Sequence, residues 1–332
     1  MENKIDWSKK NNAKINNEEI SGDLIEDIPN LRKKIEPWLS AIFQSEHLSL
    51  LIGSGLTTSV SYQAGTVSTT MGRLDITNTL SDKIKEAAKL SAEKMGRGEP
   101  NLEDDLRAAY ELLAGLKILN DSREGSLASE VETKLLEFIN SILKTEADFI
   151  DKLINQKTTE AQDALLYLKT FLLSFSSRAA SRERLNLFTT NYDRFIEYGC
   201  DDSGIIVLDR FKGKILPIFR TTKLELDYHY NPPGIRGEPR YVEGVVRLTK
   251  LHGSVDWRFM NNRIVRCPLP FGAKAISDSI PHPEVPKNPR ESVVIYPNSA
   301  KDIETAFYPY AELFEIFNFN LQTKFSYCNL WI

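Results

Sequence analysis

Cysteine is scarce in this chain. There are three, Cys200, Cys267 and Cys328, among 332 residues. Widely spaced and odd in number, they form no CxxC pair, which argues against a zinc ribbon and against a disulfide framework. A reducing cytoplasm is the simplest expectation. Clustered histidines and a second carboxylate motif are also missing, so no metal site is expected. No apolar run approaches the roughly 18–20 residues that cross a bilayer. The opening MENKIDWSKKNNAK carries charge with no apolar stretch behind it, so no secretory signal is read. An excess of positive charge is lacking too. Lys and Arg number 42 against 46 Asp and Glu, a formal net charge of −4, so no global field favours nucleic acid or an anionic membrane.

What remains is ordinary globular composition. Hydrophobic residues make up 41% and charged residues 27%, enough for a full core. The length exceeds the usual single domain, which points to one large domain with an insertion or to two domains. Residues 1–30 are rich in Asn, Lys, Glu and Asp and read as a polar arm, either disordered or docked on another subunit. Residues 31–44 read as a helix with Ile35, Trp38, Leu39, Ile42 and Phe43 on its apolar face, started late by Pro37. Residues 76–179 carry apolar positions at three- and four-residue intervals and read as a helical insertion. Ser81 and Asn101 are its candidate N-caps. The flanking segments, 31–75 and 180–332, read as one α/β unit with a Rossmann-like parallel sheet. Its strand candidates are residues 47–52, 185–188, 205–208, 245–248, 293–296 and 328–332, with an aromatic-rich helix over 305–321. Residues 63–71, 228–240 and 268–289 read as loops.

Three motifs stand out: LLIGSGLTTS (50–59), LFTTNYD (187–193) and LTKLHGS (248–254). In each, an apolar run leads into a Gly-rich or polar turn. A parallel sheet presents its ligand-binding loops in that way, at the carboxyl ends of its strands. Gly53, Ser54 and Gly55 would let backbone N–H groups approach an anion, with the Thr57 hydroxyl beside them. The full GxGxxG spacing fails because Thr58 stands at the third glycine position, so a tight structural turn is an equal reading. In the second loop Thr190 precedes Asn191, whose amide can hold a ribose hydroxyl or a water. Asp193 is either a charge partner or the N-cap of the next helix. His252 is the histidine placed at a strand-to-turn junction, and imidazole is the side chain best matched to proton transfer near neutral pH. Gly253 next to it removes bulk. The acidic run Asn101-Leu102-Glu103-Asp104-Asp105 is explained by helix-dipole complementarity. Taken together, the three loops suggest a dinucleotide site at which a ribose bond is attacked.

The ordered set GSG, TTNYD, LHGS resembles the sirtuin superfamily. The segment IYPNSAKDIETAFYPYAELF (295–314) is similar to the bacterial antiphage-defence branch of that superfamily, in particular to members encoded beside a HerA-type DNA-translocating ATPase. The resemblance runs from Glu46 onward. It implies that Gly53, Ser54, Gly55, Thr57 and Thr190 lie along NAD and that Asn191 meets the nicotinamide ribose, with Asp193 and Gly253 close by. His252 takes the catalytic-base position. It further implies NAD as substrate, cleavage of the nicotinamide–ribose bond, no zinc, self-assembly into an oligomer, and an ATPase partner. The zinc-ribbon cysteines and the Pro-Asp-Phe-Arg loop of the protein deacetylases are absent, so NAD consumption is expected ahead of protein deacylation. A non-enzymatic NAD-sensing scaffold subunit is the third alternative. The family also places a Gly-Tyr-Ser-type loop, near the adenine end of NAD, after a strand equivalent to residues 328–332.

Overall fold

The computed structural model describes residues 13–15, 18–20, 28–69, 72–94, 96, 98–179, 182–220, 227–231, 240–276, 285, 292–294 and 308–323. The protein is α/β. A short antiparallel hairpin, β1 (Ala13–Ile15) with β2 (Glu18–Ile20), lies within the polar arm. Helix α1 (Ile28–Phe43) follows. Pro37 does not delay it; the helix runs through. Proline removes the N–H that would bond the carbonyl of Lys33, and that turn is exposed, so water can serve the carbonyl instead.

Four strands form the central parallel sheet: β3 (Ser49–Ile52), β4 (Leu185–Thr189), β5 (Ile206–Leu208) and the later β10 (Val245–Lys250), ordered β3-β4-β10-β5. All five residues of β4 are buried, as expected for a strand covered on both faces. Its run LNLFT buries the polar Asn186 and Thr189 along with Leu185, Leu187 and Phe188. Helix α2 (Ser54–Gln63) leaves β3 directly at Gly53.

Between β3 and β4 come α3 (Ser81–Lys94), α4 (Leu102–Leu119), α5 (Glu124–Ile150) with a π turn at its end (Asp151–Asn155), and α6 (Thr159–Ser176). Asn101 caps α4 through a complete capping box: its side chain accepts from Glu103 N, and Asp104 accepts from the Asn101 N–H. Ser81 is the first helical residue of α3 rather than its cap. The preceding turn is tied by Asn78, whose side-chain oxygen accepts from Leu80 N at 2.8 Å.

Two apolar cores divide these helices. Leu106, Ala109, Leu127, Ile139 and Leu143 of α4 and α5 pack with Val255 and Val265 of a second sheet. Helix α6 instead sends Ala161, Ala164, Leu168 and Leu172 into the core of the parallel sheet, against Leu50, Leu185 and Leu187. It therefore covers the sheet, although it falls inside the expected insertion. Helix α7 (Phe195–Asp202) follows β4 and packs on α6 so closely that a Cβ added at Gly199 would lie 2.7 Å from Leu172 Cδ1.

The second sheet is antiparallel, with β6 (Phe211–Lys212), β7 (Ile218–Phe219), β11 (Gly253–Met260), β12 (Arg263–Arg266) and β13 (Ser292–Val294) ordered β13-β11-β12-β7-β6. A small hairpin, β8 (His229–Tyr230) with β9 (Arg240–Tyr241), falls in the segment read as loop. The turn between β11 and β12 is Asn261-Asn262, both with positive φ (51° and 60°), as a two-residue hairpin turn matching strand twist requires. Helix α8 (Tyr310–Thr323) buries Leu313 against Phe188, Leu251 and Trp257. The expected strand at 328–332 lies outside the described residues, as does most of the segment 295–314. Among the described residues no helix is long and apolar enough to cross a membrane.

Candidate functional site

The carboxyl ends of β3, β4 and β10 adjoin, so the three motifs meet there. Register alone brings them near, and hydrogen bonds then fasten them. Thr190 N donates to Ile52 O at 3.4 Å and Leu251 N to Thr189 O at 2.8 Å, which carries the pairing just past the strand ends. Asn191 Nδ2 donates to Gly53 O at 2.9 Å and to Thr57 Oγ1 at 3.1 Å. A carbonyl can only accept, so the amide nitrogen must be the atom facing Gly53. Val255 N at 3.1 Å and Ser254 Oγ at 3.3 Å both donate to Tyr192 O, which clamps the LHGS stretch onto the TTNYD loop.

A cavity of about 170 Å³ opens at this junction, lined by Ser54, Thr57, Thr69, Glu103, Phe138, Ile142, Thr145, Thr190, Asn191, Tyr192, Asp193 and His252. Six of the residues read from the motifs therefore share one cavity: Ser54, Thr57, Thr190, Asn191, Asp193 and His252. Gly53, Gly55 and Gly253 are not among the lining residues. Gly53 is the N-cap of α2 and the acceptor for Asn191; Gly55 sits in the first turn of α2. Gly253 has φ of +80°, and there the chain turns from β10 into β11. That conformation is open to glycine and costly for other residues.

The polar side chains are ordered as a relay. Thr57 accepts from Asn191, so its own hydrogen points to Asp193 Oδ2, 2.7 Å away. Asp193 Oδ1 accepts from Phe195 N at 3.3 Å, a cap-like bond at the start of α7. The bond to Phe195 N puts Asp193 at the start of α7, one residue before the N-cap Arg194. His252 lies near the rings of Tyr192 (centroids 6.2 Å apart) and Phe314 (6.3 Å).

Beneath the loop, Arg194 anchors it to α5. Its backbone N donates to Glu146 Oε1 at 2.8 Å and its Nη2 to Glu146 Oε2 at 2.5 Å, with the pair almost wholly buried. Burial works against the charge on Arg194, but the surrounding carboxylates, Glu146 foremost with Asp256 and Glu197, together outweigh it and raise the pKa of the guanidinium above its ordinary value. Lys250 holds the loop from below through the carbonyl of Asp193 and Glu197 Oε1.

Sequence reasoning missed what the helices bring. Phe138, Ile142 and Thr145 line up at four- and three-residue spacing along one face of α5, a pattern that reads only as core. Thr69 is pinned to that helix, its N–H donating to Thr145 Oγ1 at 3.0 Å, so the segment after α2 closes one wall. Glu103 carried a signal, in the acidic run, that helix-dipole complementarity already explained. Among the described residues no cluster of three or more His, Cys, Asp or Glu is placed to hold a metal.

Fold and site define a class: an α/β protein with a cavity of mixed polar and apolar lining at the carboxyl ends of a parallel sheet, walled on one side by inserted helices. No protein-family model matches the chain, and no curated protein matches it.

Proposed function

We propose that this protein is an NAD hydrolase that cleaves the nicotinamide–ribose bond to give nicotinamide and ADP-ribose. One observation carries the reading: Asn191 and His252, from loops far apart in sequence, line one cavity at the head of α2. The cavity is smaller than the roughly 300–1,000 Å³ usual for clefts that enclose a drug-sized ligand. It suits one end of a dinucleotide, the nicotinamide ribose. The pyrophosphate would lie on the first-turn N–H groups of α2, where a helix dipole favours negative charge.

Nicotinamide leaves a cation as a neutral pyridine, so it needs little acid assistance, and the transition state resembles an oxocarbenium ion. The protein's task is positioning and electrostatics. Two donor bonds already occupy the Asn191 amide nitrogen. Its carbonyl oxygen is the half left to hold a ribose hydroxyl or the attacking water. His252 takes the proton released as water adds to the sugar. Neither step calls for zinc.

From the resemblance to the defence branch of the sirtuins, this NAD consumption serves antiphage defence, with the chain oligomeric, partnered by a HerA-type ATPase, and gated by assembly or a phage-derived trigger. Incubation with NAD, followed by chromatography, tests the activity. Equimolar nicotinamide and ADP-ribose are expected, and His252→Ala should slow their release about 10²–10⁴-fold. Product formed only with an acyl-lysine peptide, as acyl-ADP-ribose, would replace hydrolysis by deacylation. Unchanged release from a folded His252→Ala variant would remove that residue from the mechanism.

A further inference from the structure

Three acids in a row open α4, and they do not share a role. Asp104 is spent on the scaffold: it accepts from the Asn101 N–H at 3.1 Å and from Ser91 Oγ at 2.8 Å, with no exposed surface. Asp105 is spent likewise, holding Arg73 through two bonds at 2.7 and 2.8 Å and Leu74 N at 2.8 Å. Glu103, half-buried, instead lines the cavity shared by Asn191 and His252. A second carboxylate on that wall, Asp193, accepts from Thr57 and Phe195 N. Dipole complementarity explains why acids begin this helix. It does not explain why one of them reaches a cavity at the end of a different structural layer.

We propose that Glu103 is a catalytic carboxylate contributed by the helical insertion, which stabilises the cationic sugar during cleavage of the nicotinamide–ribose bond. The inference rests on the hydrolase reading above and deepens it. The bond from ribose C1′ to the pyridine nitrogen breaks, and its electron pair leaves with nicotinamide, which becomes neutral. Positive charge passes to C1′ and the ring oxygen. Water adds at C1′ and its proton goes to His252. Glu103 forms no bond; its carboxylate lies beside the sugar when positive charge is greatest there. Phe138 and Ile142 on the same wall lower the local polarity and strengthen that attraction. The insertion thereby completes the site rather than merely roofing it.

Three measurements on the full chain test this. Glu103→Gln should lower kcat for nicotinamide release about 100-fold or more while KM for NAD moves little, as expected for an interaction made mainly in the transition state. Glu103→Asp, which keeps the charge, should retain more activity than Glu103→Gln. For wild type, a protonated hydroxylated pyrrolidine, which mimics the cationic sugar, should bind about 10-fold or more tighter than its neutral cyclopentane analogue; this comparison does not depend on any variant folding. Equal turnover by wild type and Glu103→Gln, or equal affinity for the two mimics in an active wild type, would overturn the role of Glu103 and leave the hydrolase reading standing. A wild type that releases no nicotinamide would overturn both.

Discussion

The hydroxyl of Thr57 has one hydrogen, and it goes to Asp193 because Asn191 occupies the acceptor side. Thr57→Val keeps the shape and removes both bonds. Buried Asn191 then holds its amide by one bond, so we expect a stability loss of about 1–2 kcal/mol in urea unfolding. Turnover should fall about 10-fold or more as the amide loses its orientation. A folded Thr57→Val variant with unchanged turnover would dismiss the relay as a positioning device. The cysteines make a second prediction at this scale. Burial, with Glu197 and Asp201 nearby, pushes the Cys200 thiol up to about 12, and burial does the same for Cys267. Thiolate is therefore negligible at pH 8. Alkylation mapped by mass spectrometry should leave both unmodified in the native protein and modify both in urea; labelling of either before unfolding would contradict their placement.

Two contacts between elements hold the site's frame. The Arg194–Glu146 pair joins the loop after β4 to α5 and is nearly solvent-free. Glu146→Gln leaves a buried guanidinium without its counter-charge, an expected cost of about 3–5 kcal/mol in urea unfolding. Gly199 lets α7 approach α6, and Gly199→Ala sets overpacking of about 1–3 kcal/mol against about 0.5–1 kcal/mol gained in helix propensity. A net loss is expected, smaller than that of Glu146→Gln; a net gain would mean the helices can part. These elements also explain what the sequence made legible. Runs such as LNLF and VVRL announce β4 and β10 because a strand covered on both faces is mostly apolar, each here with one polar residue, and the polar break after each marks a loop at the sheet's carboxyl edge. Asn191 and His252 stand at such breaks. Strand β11 gave no such sign, since GSVDWRFM buries Asp256 and Arg258 among its apolar residues. The Asn261-Asn262 turn was its one local cue. Glu103 and Thr145 reach the cavity by tertiary packing of the insertion, which no local pattern encodes.

At the scale of the whole molecule, one cavity joins layers with separate cores. The parallel sheet and α6 form one core, α3 to α5 with the antiparallel sheet form another, and α8 closes a third. Helix α2 supplies Ser54 and Thr57, the loop after β4 supplies Thr190 and Asn191, the crossing into the second sheet supplies His252, and the insertion supplies Glu103, Phe138 and Thr145. A ligand bound there touches α2, the loop after β4, the junction between the sheets and the insertion, so it should stabilise the fold as a unit through binding linkage. The most direct test of this account is a crystal structure with a non-hydrolysable carbocyclic analogue of NAD. The account predicts the nicotinamide-side sugar between Asn191 and His252 and the pyrophosphate at the first turn of α2. An analogue bound elsewhere on the molecule, leaving that cavity without a sugar, would contradict it.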